Sequence, residues 1–534
     1  MKRFRSALGA LVSAVLVVAC GGTNTETAPV NESMTHGTLV ESPPLRIASL
    51  DATTFQAQLA SSTAGQQLLQ VTGDPACGVD FYYLKFYTTG AANESTMSTG
   101  AMMVPTGAAG SCSGPRPIVL YAHGTQALKT ANIADITNTS NTEGALIAAM
   151  FAAHGFIVVA PNYAGYDAST LSYHPFLNAS QQSGEMMDIL AAARSGLPKT
   201  FSAATTDSGK LFVTGYSEGG YVAMATVRAL QAAGQKIAAA APMSGPYALE
   251  AFGDAIFFGN VNLGSTLFAP LITTSYQHAY SNIYTATTDI YTSTYASGID
   301  TLLPNATPLN TLFSNGKLPQ TALFDSNTPT VTIPNNPQLS AVLTQLLKVP
   351  SDPNNPQTPL FAAGFGEPNL VNNDYRVSYA LDAAANPDGA TQNPPVAGAP
   401  LAAQVPTQTL RKALNLNDMR NGSWGPMEPT LLCGGDQDPT VFFSVNTGTM
   451  AAFWAPEVQA GVITVLDVNG TPAGPFAPIQ QGFQLSQAQL LAFYESAAGG
   501  GLSPQQAQLQ LVQGYHTNVA PFCSLAARNF FAQF

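Results

Sequence analysis

Short apolar runs recur along this chain, and most are followed by a stretch with helical spacing. "RPIVLYAHG" (116–124), "FIVVAP" (156–161), "KLFVTG" (210–215), "KIAAAAPM" (236–243), "TLLCGG" (430–435) and "GVITVLDVNG" (461–470) read as buried strands. Between them, "EGALIAAMFAAHG" (143–155), "QQSGEMMDILAAARSGL" (181–197) and the run from Tyr221 to Gly234 read as helices. Before the first parallel strand, "FYYLKFYTTG" (81–90) and "ESTMSTGAMMVP" (94–105) predict an antiparallel pair. This rhythm predicts an α/β fold with a mostly parallel central sheet and helices on both faces. It breaks after Tyr247, where aromatic text ("FAPLITTSYQHAYSNIYTATTDIY") gives way to proline- and asparagine-rich loops, and it resumes near residue 428. The expected organisation is therefore a core in two parts, 51–247 and 406–534, with a large inserted, mainly helical cap over 248–405.

The amino terminus, "MKRFRSALGALVSAVLVVACGG", has the basic, apolar and small-residue regions of an export signal over residues 1–20. Its end, Val17-Val18-Ala19-Cys20, resembles a bacterial lipobox, so Cys20 is expected to be lipidated, with residues 21–50 forming a flexible tether. Gly21 after the cysteine resembles the outer-membrane-sorted type. The expected location is the outer membrane, with the periplasm or the medium as alternatives, and the only membrane contact expected is through the lipid. The chain is 46% hydrophobic and only 9% charged, with a formal charge of −12 and no basic run. A surface so poor in Lys and Arg is a poor match for nucleic acid, which is bound largely through its phosphates. Oligomeric state is left open.

Candidate chemistry concentrates at "GYSEGG" (215–220), where the strand at Leu211–Val213 turns into a helix. Gly215-Tyr216-Ser217-Glu218-Gly219 matches the nucleophile elbow, in which glycines relieve a corner that lifts the serine hydroxyl above the sheet. A serine needs a base to take its proton and an acid to orient that base. Of the two later histidines, His278 lies in cap text, and His516, in "VQGYHTN", follows the last predicted strand, so His516 is the expected base. In "GGDQDPTV", Asp438 is the expected acid and Asp436 a turn residue; Asp467 comes one strand too late. An oxyanion hole needs two fixed N–H donors. The expected pair is the backbone N–H of Glu218 and that of Thr125, in the loop after "IVLYAHG". His123 is expected to hold that loop, and His154 to sit at a helix end. His174 is ambiguous between loop structure and pocket wall.

Apart from Cys20, the chain has four cysteines, and in an exported protein an even number implies disulfides with three possible pairings. Cys77 with Cys112 and Cys433 with Cys523 is the expected set, because each pair flanks elements that this fold brings together. Neither spacing resembles a zinc site.

These motifs together resemble the α/β-hydrolases, specifically the secretory-lipase-like branch of capped esterases and lipases. "VLYAHGT", "FIVVAPNYAGY", "YHPFL", "GYSEGGYVAMA", "TSYQHAYSNIY", "GGDQDPTV" and "GYH" carry the resemblance over roughly residues 75–534. It implies a serine esterase without a cofactor, acting through an acyl-enzyme on a small-molecule, lipid or polymeric ester. In that reading Ser217 is the nucleophile, His516 the base, Asp438 the acid, and Thr125 and Glu218 the oxyanion donors. The long, Pro/Asn-rich cap departs from the pattern. Two other readings stand beside this one: a serine peptidase on the same fold, and a catalytically inactive surface-binding lipoprotein.

Overall fold

The computed structural model describes residues 35–138, 141–390 and 400–534. The expected signal segment, Cys20 and part of the proline-rich run, 391–399, lie outside the described residues. Nine strands form one sheet: β1 (Leu45–Leu50), β2 (Gly78–Thr89), β3 (Ser95–Thr106), β4 (Gly114–Ala122), β5 (Ile157–Pro161), β6 (Thr205–Tyr216), β7 (Ala239–Met243), β8 (Thr430–Gly434) and β9 (Ile463–Asp467). Their order across the sheet is β1-β2-β3-β5-β4-β6-β7-β8-β9. The pairs β1/β2, β2/β3 and β3/β5 are antiparallel, and every pair from β5/β4 to β8/β9 is parallel. Every residue of β5, β7 and β8 is buried, which is why these strands read as continuous apolar runs rather than alternating ones.

Helices cover both faces. Ala179–Gly196 and Glu218–Ala232 share one core cluster with β4, β5 and β6, and Thr142–Met150 and Tyr515–Phe531 share another on the opposite side. Because β4 lies between β5 and β6, the chain leaves it first to one side and later returns to the other. The loops after β4 and β6 therefore diverge and leave a crevice at their carboxyl ends, the usual place for a site in an open α/β sheet. Ser217 follows β6 directly, and Thr125 lies three residues past β4.

No strand interrupts residues 248–405 among the described residues. Helices dominate there, including Leu249–Phe257, Ser265–Tyr280 and Asn373–Ala385. Leu271, Tyr276, Tyr291 and Tyr379 of this insertion belong to the same apolar cluster as β4 and β5, and Val331, Leu343, Leu347 and Ala380 form a small cluster of their own. Residues from Thr35 to Phe534 form one compact unit.

The expected tether over 21–50 needs correction. Residues 35–50 already belong to the fold: Leu39 bridges Phe86, and Leu45–Leu50 pairs with β2 as an edge strand. The signal was weak because the strand is six residues long and mostly exposed. Two helices, Ala52–Ala60 and Thr63–Thr72, follow it, with Asp51 and Ser62 capping their first turns.

Behind the cap helices lies a buried ionic cluster. Arg411, on the helix Thr409–Asn417, donates twice to Asp254 (2.8 and 2.9 Å) and once to Asp382 (3.2 Å), and lies 3.1 Å from Glu250. These contacts join three helices. Burial pushes Glu250 up to about 7. Arg411→Ala would leave Glu250 and Asp254 without their cation, a loss of about 3–5 kcal/mol as for other broken buried pairs. Glu250 holds a proton below about 7 and is ionised above it. The destabilisation, measured by urea unfolding, is therefore expected to be larger at pH 8 than at pH 5.

Candidate active site

The corner after β6 is as tight as its glycines imply. Ser217 sits at φ 60° and ψ −124°, a left-handed conformation that a residue with a side chain holds only when its surroundings impose it. A Cβ on Gly219 would lie 1.9 Å from the carbonyl oxygen of Ala122, and one on Gly220 would lie 2.2 Å from that of Met243. Ser217 donates its N–H to Met243 and accepts the N–H groups of Gly220 and Tyr221, so the turn is fixed from both sides. The helix Glu218–Ala232 starts here, with its first N–H groups and its positive dipole end at the serine.

His516 arrives from the far end of the chain. It is the second residue of the helix Tyr515–Phe531, and the Tyr216 hydroxyl donates to its carbonyl. Two helices, Ala477–Glu495 and Pro504–Gln513, stand between β9 and His516. The Ser217 hydroxyl donates to Nε2 of His516 at 2.8 Å, and Nδ1–H of the same ring donates to Oδ2 of Asp438 at 2.5 Å. Asp438 is buried, and its other oxygen accepts the N–H groups of Thr440 (2.9 Å) and Val441 (3.0 Å), so the loop after β8 holds the carboxylate in place. Asp436, in a turn as expected, instead accepts from Asn469, and Asp467, the last residue of β9, accepts the N–H of Asp436.

The disulfides are Cys77–Cys112 and Cys433–Cys523. The second joins the strand leading to Asp438 with the helix carrying His516.

Thr125 and Glu218 border the same cleft as Ser217. The Glu218 side chain takes no part in it. Buried, it accepts from Nε2 of His174 and Nε2 of Gln182, both at 2.7 Å. This resolves His174 as a support behind the site rather than part of its wall. His123 is buried with its ring nitrogens at 2.6 Å and 3.1 Å from the carbonyls of Gly124 and Asn162, holding the loop as its position implies. His278 stacks on Tyr173, 3.7 Å between centroids. His154 ends a 3-10 turn, and burial pushes it down to about 4. Among the described residues no group of three His, Cys, Asp or Glu could hold a metal ion.

The cleft is partly open to solvent. Its walls are almost wholly apolar. Leu249, Phe252 and Ile256 from one cap helix and Phe268, Ala269 and Ile272 from the next recur at helical spacing along it. Three of its polar wall residues are engaged elsewhere: Ser265 donates to Asn262, Asn262 to Thr440, and Thr273 pairs with Tyr291. Among the described residues the one acid lining it, Glu218, is turned onto His174.

A mostly parallel sheet with a serine elbow at its switch point is the α/β-hydrolase fold. Comparison with known proteins agrees. Residues 144–262, which include the elbow, match the model of the prolyl oligopeptidase family. The rice cell wall degrading esterase LipA from Xanthomonas oryzae is 25% identical, with a TM-score of 0.59 over 86% of this chain and 99% of that one. A putative hydrolase from Legionella pneumophila shares the fold at 16% identity, with a TM-score of 0.58 over 93% of this chain and 97% of that one. No curated protein matches.

Proposed function

We propose that the protein is an exported serine esterase that cleaves carboxylic esters through an acyl-enzyme on Ser217. The observation that carries this reading is the hydrogen-bonded row Ser217–His516–Asp438 at the edge of an apolar cleft. His516 takes the serine proton as Oγ attacks the ester carbonyl, and Asp438 holds the ring in the required tautomer and stabilises the imidazolium. The N–H groups of Thr125 and Glu218 receive the oxyanion. His516 then protonates the departing alcohol, leaving the acyl group on Ser217. Water, deprotonated by the same histidine, releases the acid and restores the serine.

The match to the prolyl oligopeptidase family favours a second reading, a serine peptidase. An aminopeptidase needs a carboxylate to receive the substrate amine, and the one acid bordering the cleft is already bonded to His174 and Gln182. The apolar wall and the likeness to an esterase support esters instead. Hydrolysis of p-nitrophenyl esters of two to twelve carbons is the test, run beside aminoacyl p-nitroanilides. Each methylene buried in the cleft is worth about 0.8 kcal/mol, so kcat/KM is expected to climb with acyl length until the cleft is full. Anilide cleavage with no ester cleavage would favour the peptidase.

Export and a lipid anchor at Cys20 belong to the same proposal. The two disulfides are compatible with an oxidising compartment, and no helix among the described residues is long and apolar enough to cross a membrane. Incorporation of labelled palmitate that disappears in Cys20→Ala is the expected result.

A further inference from the structure

Several backbone groups of the loop after β4 are held by side chains. The Tyr163 hydroxyl donates to the carbonyl of His123 at 2.9 Å, the His123 ring lies 2.6 Å from the carbonyl of Gly124, and the Tyr166 hydroxyl donates to that of Gln126 at 2.5 Å. The N–H of Gly124 is held by a side chain from another element. Glu143, in the first turn of the helix Thr142–Met150, accepts it on both carboxylate oxygens, at 3.0 and 3.1 Å. The buried hydroxyl of Tyr121, on β4, donates to the same carboxylate at 2.8 Å. In contrast, the N–H of Thr125 has no acceptor among the described residues.

The clamp lies against the nucleophile. A Cβ built on Gly124 would lie 3.5 Å from Oε2 of Glu143, 3.5 Å from the Tyr216 carbonyl and 3.6 Å from Cβ of Ser217. Carboxylate, loop and elbow therefore meet at one point. With its N–H on Glu143 and its carbonyl beside His123, Gly124 is fixed on both sides, and its carbonyl belongs to the same peptide unit as the Thr125 N–H. Glu143 thus anchors the peptide before the Gly124 Cα and His123 the peptide after it.

We infer that Glu143 is a positioning residue for the oxyanion hole: by holding the N–H of Gly124 it anchors the His123–Gly124 peptide, and through the Gly124 Cα it limits the next peptide, which presents the N–H of Thr125 to the reacting carbonyl. It touches neither substrate nor nucleophile and acts through the loop. Burial pushes its carboxyl above the ordinary range, consistent with the inward turn of this group. The inference rests on the esterase reading of Ser217.

Its test uses the full-length chain, with kcat and KM for a p-nitrophenyl ester and inhibition by an alkylboronic acid, which forms a tetrahedral adduct on an active serine. Misplacing one oxyanion donor is expected to matter mainly in the transition state. Glu143→Ala should therefore lower kcat by roughly 10- to 100-fold with KM within about two-fold, and weaken boronate binding by a similar factor. Glu143→Gln keeps an oxygen for the Gly124 N–H and should recover most of the loss. If Glu143→Ala does not fold, Tyr121→Phe removes one of the carboxylate's two partners, and a smaller loss in kcat and boronate affinity is expected. Unchanged kcat and boronate affinity in a folded Glu143→Ala (or in Tyr121→Phe, where that variant is the one read) would overturn the inference, as would a Glu143→Gln that falls as far as alanine. Ser217→Ala separates the two claims: ester activity surviving in it would overturn the esterase reading itself.

Discussion

Ser217→Ala is expected to lower kcat for ester hydrolysis by about a hundred-thousand-fold or more, while the protein keeps its native circular dichroism and unfolding midpoint. The loss is large because the step it removes has no substitute. In the proposed mechanism the hydroxyl is the nucleophile that His516, 2.8 Å away, deprotonates, and the row to Asp438 acts through it. His516→Ala should fall nearly as far. The double variant should be little worse than either single one, because the residues act as a unit and their losses do not add. Active-site titration with an organophosphonate gives an independent measure: one equivalent of leaving group is expected from the wild type and none from Ser217→Ala. Ester hydrolysis at wild-type rates in the alanine variant would show that catalysis occurs elsewhere.

The second large effect concerns folding. Gly219→Ala adds one methyl group at a point 1.9 Å from the Ala122 oxygen, 2.5 Å from its carbonyl carbon and 2.8 Å from the His123 oxygen. All three are backbone atoms, of β4 and the loop that follows it, so no side chain can swing aside. The sheet and the helix behind Ser217 would have to separate, an effect expected to exceed about 4 kcal/mol. Urea unfolding against Gly184→Ala makes the comparison. Gly184 lies in the helix Ala179–Gly196 with nothing within 4 Å of its would-be Cβ. There the same methyl is expected to stabilise by about 0.5–1 kcal/mol, because alanine favours a helix interior. A Gly219→Ala protein as stable as the wild type would contradict the packing described for the elbow.

The two glycine sites also show what the sequence could reveal. "GYSEGG" is local, and the need for small residues is written into the six positions themselves. β5, β7 and β8 were equally readable, because burial on both faces leaves no polar positions within them. Asp438 could be named because it lies in a short loop just past a recognisable strand, and His516 because it is one of only two histidines after the elbow. The helices Ala477–Glu495 and Pro504–Gln513 escaped notice: their text is rich in Gln and Ala, and few of their side chains are buried. β1 was lost in the supposed tether for the same reason. Glu143 looks like an ordinary acid in a first helical turn, where it complements the helix dipole. Only the folded chain brings it to Gly124. The partners of Arg411 lie 157 and 29 positions away, and no periodicity links them.

The bridge between Cys433 and Cys523 bears on how this molecule survives damage. Ser217 and His516 are 299 positions apart and His516 and Asp438 are 78 apart, so the site exists only when three distant segments converge. The bridge spans 90 positions, enough to remove about 4–5 kcal/mol of entropy from the opened chain. More to the point, it leashes acid to base. After transient melting the strand before Asp438 and the helix of His516 cannot drift apart, and their reunion is a local search rather than an encounter between free segments. Material produced in a reducing cytosol would lack this leash. Its recovery of activity after heating should be poorer and slower than that of oxidised protein, even where the two start with equal activity.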